Sequence, residues 1–379
     1  MRVLHVIDSS KRGGGQTHVR GLLLELSRLG FELHLAVPTD GNVFDGLEAS
    51  GIIVHQAGIS KFHAAHSLRE LVRILRQVRP DILHLHGSVA GVWGRLASTF
   101  VRDVSVVYTY HGVHYLRYRV FPRTHLFYLA DRALSRLSER VICVSDSDRD
   151  LVIRAGLKSP EKVSVIHNGI DTSDHLDAFS TDRVDSSLFS GSDRLVICVA
   201  RLHRQKGHVY LLRAAVSILE RHPNTAFLLV GDGPERRRLE KLSRKLRIED
   251  HVHFLGERDD VPALLSISDL FVLPSLWEGL PISVLEAALH RVPMIVTEVP
   301  GVTEVLEDCV SAVFIRPRDH VDIADAVDRV FSGAVDTDTL TQNALQLVRG
   351  KHDTRRMAEK TVTLYREIMK ERAGKRGGM

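Results

Sequence analysis

The chain has 379 residues, of which 44% are hydrophobic and 26% charged, a balance typical of a globular protein with two domains. This composition excludes a disordered chain, a collagen-like repeat and a coiled coil. The net charge is only +4, and the whole of this excess falls within residues 1–180.

The three cysteines are widely spaced and match neither a disulfide framework nor a zinc motif, so we expect reduced thiols in the cytoplasm. The apolar run at the N terminus is too short for a signal peptide. The sequence contains no run of about 18 apolar residues, which is the length that a membrane-spanning helix needs. We therefore expect a cytoplasmic protein, with peripheral contact to the inner face of the membrane as an option.

Short runs of Val, Ile and Leu alternate with amphipathic stretches, which is typical of parallel sheets covered by helices on both faces. The first series of predicted strands covers residues 2–7, 32–37, 52–55, 82–85, 105–108, 141–144 and 163–166. The second series, with helices predicted at 208–221 and 235–245, covers residues 195–199, 226–230, 252–255, 270–273, 294–296 and 312–315. The pattern predicts an α/β fold of two doubly wound units.

A polar stretch rich in Ser, Asp and Thr separates the two series. We predict an N-terminal Rossmann-like domain over residues 1–172, a linker over 173–193 and a C-terminal Rossmann-like domain over 194–355. A C-terminal helix over 356–379, ending in a loose tail, is expected to pack back on the N-terminal domain. Ligands of α/β sheets bind at the carboxyl ends of the strands, so we expect a binding cleft where the two sheets meet.

A glycine-rich loop, Gly13-Gly14-Gly15, follows the first predicted strand and precedes a predicted helix. Its backbone amides and the helix N-terminus suit a phosphate, and an ordinary tight turn is the alternative. His18 stands where the dinucleotide fingerprint needs a third small residue, which argues against a nicotinamide dehydrogenase.

Histidines lie at the carboxyl ends of two apolar strands. His84 and His86 lie at the end of one, and His111 lies at the end of the next. A histidine at such a strand end could donate a hydrogen bond to a substrate hydroxyl, and packing inside the sheet is the alternative role.

Arginines and aromatic residues are interleaved over residues 114–140, where basic residues outnumber acidic ones. This mixture suits an anionic membrane surface or a lipid diphosphate, and it suits equally a solvated helix with one apolar face. No nucleic-acid recognition motif accompanies the charge, so no nucleic-acid partner is expected.

Two cations, Arg201 and Lys206, lie on the loop between a strand and a helix of the second domain. Beside a helix N-terminus, such a pair can clamp a diphosphate and neutralise its charge as it leaves; a basic surface loop is the alternative. The next strand-to-helix turn holds Gly231 and Gly233, where a base or ribose could lie against the backbone.

The most specific stretch is Pro274-Ser-Leu-Trp-Glu278-Gly279-Leu280-Pro281, followed by a predicted helix that contains Glu286. Pro281 suits the first turn of that helix. The two acids can address different parts of one ligand, while the amides of Gly279 and Leu280 and the helix N-terminus meet its phosphates.

Together these motifs resemble the retaining family-4 glycosyltransferases of the GT-B fold, and the resemblance extends over nearly the whole chain. It implies that Arg201 and Lys206 hold the nucleotide diphosphate as the leaving group. Glu286 would bind the ribose hydroxyls, and Glu278 would contact the donor sugar. The remaining residues that the resemblance places around donor and acceptor are Gly14, Gly15, His111, Gly231, Gly233, Phe254, Gly256, Gly279, Leu280 and Pro281.

The resemblance implies a hexosyl- or N-acetylhexosaminyltransferase that needs no metal or other cofactor. Its donor would be a nucleotide sugar, a UDP-sugar in particular, and its acceptor a saccharide or lipid-linked saccharide of envelope or exopolysaccharide synthesis. Two other functions fit the same residues, namely a nucleotide-sugar epimerase and a non-catalytic nucleotide-sugar-binding subunit. Within the motifs, Val302 stands where the family often has a second glycine after Gly301.

Overall fold

The computed structural model describes residues 1–117, 123–172, 184, 189 and 191–377. The chain forms two compact units, which we call the first unit (Met1–Asp171 with Asp353–Met379) and the second unit (Thr172–His352). Most of the predicted linker, residues 173–193, lies outside the described residues, as do residues 118–122 of the Arg/aromatic segment.

The C-terminal boundary of the second unit differs from the prediction, which placed it at residue 355. The structure assigns Asp353 and the residues after it to the first unit. There, the Thr354 amide donates to the carbonyl oxygen of Ile170 at 3.0 Å, and Asp353 forms a parallel bridge with Ile170. The crossing back to the first unit is therefore set by backbone pairing.

The first unit is built on a seven-stranded parallel sheet with the strand order β3-β2-β1-β4-β5-β6-β7. The chain winds away from β1 in both directions, which is the doubly wound arrangement that the apolar runs predict. The strands are Arg2–Ile7 (β1), Glu32–Val37 (β2), Ile53–Gln56 (β3), Ile82–His86 (β4), Ser105–Tyr110 (β5), Arg140–Cys143 (β6) and Val163–Val165 (β7).

Helices cover this sheet, and the last helix of the chain is one of them. Along the chain they are Gly14–Arg28 (α1), Ala64–Val78 (α2), Ser88–Ser98 (α3), His114–Arg117 (α4), Arg123–Leu134 (α5) and Asp146–Arg154 (α6). The C-terminal helix, Thr354–Gly377 (α13), places Met357, Tyr365 and Ile368 in the same core cluster as Leu22 and Leu26 of α1. Burial of these apolar side chains holds α13 on the first unit.

The second unit has a six-stranded parallel sheet with the strand order β10-β9-β8-β11-β12-β13. Its strands are Arg194–Val199 (β8), Thr225–Val230 (β9), Val252–Gly256 (β10), Leu270–Leu273 (β11), Met294–Thr297 (β12) and Val313–Ile315 (β13). Its helices are His208–Arg221 (α7), Arg236–Leu246 (α8), Val261–Ser266 (α9), Ile282–Leu289 (α10), His320–Phe331 (α11) and Thr337–Lys351 (α12). The winding reverses between β8 and β11, and parallel sheets bind ligands at such a reversal.

Among the helices in the described ranges, none combines the length and the apolar character that crossing a lipid bilayer requires.

Candidate active site

The turn that carries Arg201 and Lys206 joins β8 to α7, and contacts within the turn fix its conformation. Its short 3-10 helix, Arg204–Lys206, is capped by His203, whose Nδ1 accepts from the Gln205 amide at 3.2 Å. Gly207 then takes a left-handed conformation with φ of 66°. A side chain there would collide with the carbonyl oxygen of Pro274, so only glycine lets the turn rest on the loop after β11.

Hydrogen bonds join this turn to the Glu278 loop. The Leu276 amide donates to the carbonyl oxygen of Gln205 at 2.7 Å, and Gln205 Nε2 donates to the Trp277 carbonyl oxygen at 2.9 Å. The two motifs, which are far apart in sequence, are therefore joined into one surface at the carboxyl edge of the sheet.

Glu278 lies in a buried polar network at the centre of this surface. Its Oε1 accepts from Lys206 Nζ at 2.6 Å and from Ser275 Oγ at 2.6 Å, and only 4% of the residue is exposed. Arg201, by contrast, is exposed to solvent. The two cations therefore differ in their surroundings. The charge of Lys206 is balanced by Glu278, whereas Arg201 is exposed to solvent.

Helix α10 begins beside this network. Pro281 is its N-cap, one position before the first helical turn in which the sequence placed it, and no side chain among the described residues caps the helix. The first amides of α10 and the positive end of its dipole are therefore available to an anion. Gly279 and Leu280 form the approach to this helix.

Glu286 lies in the second turn of α10. Desolvation raises the pKa of its carboxyl group to about 7, although part of the residue still reaches solvent. A carboxyl group poised near neutrality can accept hydrogen bonds from a diol once it is ionised, which suits the role of ribose ligand that the resemblance implies.

The turn after β9 and the end of β10 form a neighbouring edge. Gly231 donates its amide to the carbonyl oxygen of Gly256 at 2.7 Å, and a side chain at Gly231 or Gly233 would strike the backbone of residues 200–202. The Phe254 carbonyl oxygen accepts from Arg236 Nη2 at 3.0 Å. The structure therefore brings Arg201, Gly231, Gly233, Phe254 and Gly256 to the same edge of the second sheet.

In the first unit, a line of histidines runs through the sheet towards its carboxyl edge. His5 Nδ1 lies 3.0 Å from His86 Nε2, and His86 Nδ1 lies 3.2 Å from His111 Nε2. Burial lowers the pKa of His5 to about 3 and lowers the pKa values of His86 and His111 well below the usual range. All of these rings are therefore neutral at physiological pH.

The direction of the hydrogen bonds in this line follows from its inner end. Nε2 of His5 is buried with no partner among the described residues. A buried N–H without a partner is rarer than a bare acceptor, so the proton is best placed on His5 Nδ1. His86 then donates from Nδ1 to His111 Nε2, and His111 carries its own proton on Nδ1 as a hydrogen-bond donor.

The glycine loop lies against the outer end of this line. Gly14 begins α1, and a Cβ at Gly15 would lie 3.7 Å from a ring carbon of His111. His18, His86 and His111 each bring one ring nitrogen within 4.8 Å of the others, a donor set of the kind that zinc prefers. Because both nitrogens of His86 are already in hydrogen bonds, we interpret the cluster as a hydrogen-bonded array.

Some residues that build the site were not singled out from the sequence. Gln205 and Ser275 hold the Glu278 network. Gly301, which was noted from the sequence only beside Val302, is needed because a Cβ there would collide with the carbonyl oxygen of Gly279. Val302, next to it, is fully buried. The only sequence signal for these supporting residues was a glycine or a small polar residue beside each motif, and that signal is weak.

Part of the Arg/aromatic segment, residues 114–140, lies on α5. Asp131 of α5 accepts from Arg95 Nη2 at 2.6 Å, from the Tyr110 hydroxyl at 2.5 Å and from the Tyr115 hydroxyl, which anchors the helix on its inner side. On the outer side, Leu126 is 71% exposed and Phe127 is 60% exposed. Some apolar residues of α5 are therefore exposed to solvent and do not pack in the hydrophobic core.

Comparison with protein families assigns both parts of the chain. Residues 12–174 match the family described as Glycosyltransferase Family 4, and residues 180–346 match Glycosyl transferases group 1. A UDP-Gal:alpha-D-GlcNAc-diphosphoundecaprenol alpha-1,3-galactosyltransferase of Escherichia coli is 31% identical over 248 residues. That alignment covers 64% of each chain. An alpha-D-kanosaminyltransferase of Streptomyces kanamyceticus is 28% identical over 79% of this chain and 81% of its own.

Solved structures show the same fold. Anabaena HepE in complex with UDP-glucose superposes with a TM-score of 0.80 at 22% identity, covering 98% of this chain and 100% of HepE. Sucrose-phosphate synthase of Thermosynechococcus elongatus superposes with a TM-score of 0.83 at 19% identity, over 98% and 100% of the two chains. With two Rossmann-like units and matches to both family descriptions, the chain belongs to the group 1, family-4 glycosyltransferases of the GT-B fold.

Proposed function

We propose that this protein transfers a sugar from a nucleotide sugar, a UDP-sugar in particular, to a saccharide or lipid-linked acceptor. The observation that carries the proposal is the joining of the Arg201–Lys206 turn to the Glu278 loop and the uncapped start of α10. Exposed Arg201 and the α10 amides offer ligands for a diphosphate, and Glu286 offers an acceptor for ribose hydroxyls.

The relatives support a UDP-sugar and a lipid-linked acceptor. The name of the E. coli enzyme specifies UDP-Gal as donor and a diphosphoundecaprenol-linked sugar as acceptor, and HepE has been solved with UDP and with UDP-glucose. We therefore propose a hexosyl- or N-acetylhexosaminyltransferase of envelope or exopolysaccharide synthesis.

In the proposed reaction, the bond between the anomeric carbon and the β-phosphate oxygen breaks, and an acceptor hydroxyl oxygen bonds to that carbon. The hydroxyl proton passes to the departing phosphate oxygen, so the products are the glycoside and UDP. Arg201 and the α10 dipole stabilise the charge that develops on the diphosphate, a role for which no metal is needed. Lys206, whose charge is balanced by Glu278, joins the Arg201 turn to the loop before α10. Attack from the face that the phosphate leaves would retain the anomeric configuration.

His111 has a separate role in this proposal. With its proton on Nδ1, the neutral ring donates a hydrogen bond to a hydroxyl of the sugar. It stays neutral over the physiological pH range because burial lowers its pKa.

We also propose that the outer side of α5 rests on an anionic membrane surface. Leu126, Phe127 and Leu129 are exposed at 71%, 60% and 48%, and the exposed cations Arg132 and Arg136 follow them in sequence. Apolar side chains flanked by cations are the pattern of an interfacial helix.

The double variant Leu126→Ser/Phe127→Ser should lose sedimentation with phosphatidylglycerol vesicles, while the control Val321→Ser, on α11, should retain it. Equal sedimentation of both variants would remove this part of the proposal.

Transfer itself is tested with purified protein, a panel of UDP-, GDP- and ADP-sugars, and a GlcNAc-diphosphate-lipid acceptor. We expect UDP to be released only when a UDP-sugar and the acceptor are both present, and NMR of the product to show the donor's anomeric configuration. Arg201→Ala should abolish transfer, whereas Arg237→Ala, an exposed arginine on α8, should not. Conversion of the donor without acceptor would instead indicate an epimerase, and nucleotide binding with no turnover would indicate a binding subunit.

A further inference from the structure

A cavity of about 410 Å³ opens in the second unit between the first turns of α7 and α8. None of the residues assigned above to the nucleotide site is among its described lining. In particular, Arg201, Lys206 and Glu278 are absent from it, although other residues of the same two loops contribute, namely His203, Arg204, Gly207 and Leu276. The cavity therefore adjoins the proposed nucleotide site but contains none of the residues proposed to hold the donor.

The lining of this cavity is strongly basic. Four arginines line it, namely Arg204, Arg213, Arg238 and Arg318, and all four are exposed. Among the described lining residues, Glu235 is the one acid, and it is paired with Arg238 at 2.7 Å. Three guanidinium groups therefore remain in excess around one concave surface, which is the electrostatic pattern of an anion site.

One of the lining residues, His208, is a buried polar side chain without a hydrogen-bond partner among the described residues. His208 is 2% exposed, and neither of its ring nitrogens meets a partner within the described part of the chain. Burial and the nearby charge of Lys206 lower its pKa to about 3, so the ring is neutral and carries one N–H donor. An unpaired buried donor is unfavourable, and a ligand acceptor at this position would relieve the cost.

The start of α7 adds a third feature. His208 is the first residue of this 14-residue helix, its N-cap is Gly207, and no described side chain caps it. The helix dipole and the first amides therefore favour an anion at the end of the helix that borders the cavity.

We propose that this cavity binds a small molecule bearing a phosphate group, with the phosphate held by Arg204, Arg213 and the start of α7. Neutral His208 would donate its N–H to an oxygen of the same ligand. The volume lies within the range of small-molecule sites and suits a sugar phosphate. The ligand is additional to the nucleotide sugar, so the site goes beyond the proposed transferase reaction.

Isothermal titration calorimetry of the full chain tests the site, with glucose 6-phosphate, inorganic phosphate and glucose as probes. Each titration is made twice, without UDP and in saturating UDP, and the second series reports only on binding outside the nucleotide site. We expect saturable binding of glucose 6-phosphate, weaker binding of phosphate and none of glucose. Arg213→Glu should weaken the binding of glucose 6-phosphate by about tenfold or more, whereas the matched charge reversal Arg237→Glu, outside the cavity, should leave it unchanged.

A second variant separates binding from folding. His208→Leu removes the two unpaired nitrogens from a buried position, so the thermal midpoint without ligand should be equal to or higher than that of the wild type. Its affinity for glucose 6-phosphate should nevertheless fall.

Three results would overturn the proposal. These are equal binding by Arg213→Glu and Arg237→Glu, loss of glucose 6-phosphate binding once UDP is present, or binding of an acidic peptide without binding of any phosphate probe. UDP affinity is measured separately for each variant. A failure of the proposed nucleotide site would appear there, while the probes titrated without UDP would still report on the cavity.

Discussion

Lys206 Nζ lies 2.6 Å from Glu278 Oε1, and the two side chains are only 18% and 5% exposed. This ion pair ties the turn after β8 to the loop before α10. It also means that the two residues cannot be probed independently, because the removal of either leaves the other with an unbalanced charge.

Lys206→Met should destabilise the second unit by about 3 kcal/mol, because Glu278 would remain buried without its cation. The double variant Lys206→Met/Glu278→Gln should recover most of this loss but remain inactive in sugar transfer. Urea unfolding checks the stability, and Lys241→Met, at an exposed position of α8, is the control. A double variant no more stable than Lys206→Met alone would contradict the pairing.

The stability of the protein should depend on pH through Glu286. Desolvation raises the pKa of this carboxyl from 4.5 to about 7, so the native state holds its proton more tightly than the unfolded chain does. Stability from this group is therefore present at low pH and is lost as pH rises from about 4.5 to about 7. Glu286→Gln should be more stable than the wild type at pH 8, by up to about 3 kcal/mol, and similar to it at pH 4.5.

Thermal unfolding at the two pH values measures this difference. Glu249→Gln, at an exposed position of the same unit, is the matched control and should show no pH-dependent gain. If the thermal midpoints of Glu286→Gln and of the wild type change by the same amount between the two pH values, desolvation does not raise the pKa of Glu286 as described.

His86 should act as a positioning residue for His111. His86→Phe keeps a ring in the core but removes the donor that sets the tautomer of His111. We expect kcat for transfer to fall by roughly tenfold or more, because His111 would no longer present a fixed N–H to the sugar, while UDP affinity stays unchanged.

Two measurements distinguish this role from a merely structural one. The ¹⁵N chemical shifts of His111 should change from a single tautomer to a mixture. His55→Phe breaks another histidine pair of the same sheet, His34 Nδ1 to His55 Nε2 at 2.9 Å, and should leave kcat unchanged. An equal loss of kcat in both variants would point to general damage to the sheet.

The two paired glycines, Gly231 and Gly256, should respond differently to substitution. Gly231 has φ of 127°, and a Cβ there would collide with the Ala200 carbonyl oxygen. Gly256 has φ of 70°, and the nearest atom to its Cβ would be Arg236 Nη1 at 3.5 Å. Gly231→Ala should therefore destabilise the second unit by more than about 2 kcal/mol and abolish UDP binding, whereas Gly256→Ala should cost about 1 kcal/mol. Urea unfolding and UDP titration measure both effects, and the reverse order would contradict the backbone geometry.

Much of the fold was predictable because its determinants are local. The predicted helix 208–221 has the same ends as α7, since Gly207 starts it and the apolar positions Leu211, Leu212, Ala215 and Ile218 recur at helical spacing. Most strand ends agree to within a residue, whereas β5 extends two residues beyond its prediction, to Tyr110. Polar Thr109 broke the apolar run there, yet it is buried beside His84.

By itself, the sequence determined the alternation of strands and helices, the family and the residue types at the donor motifs, because these depend on neighbours a few positions apart. Only the tertiary structure decided that Lys206 is neutralised by Glu278, that Gly301 seats against Gly279, and that the Tyr365 hydroxyl of the last helix reaches His84. Each of these contacts joins residues on different elements. Their distances follow from how strands order in the sheet and how helices pack on it, and no local pattern encodes that order.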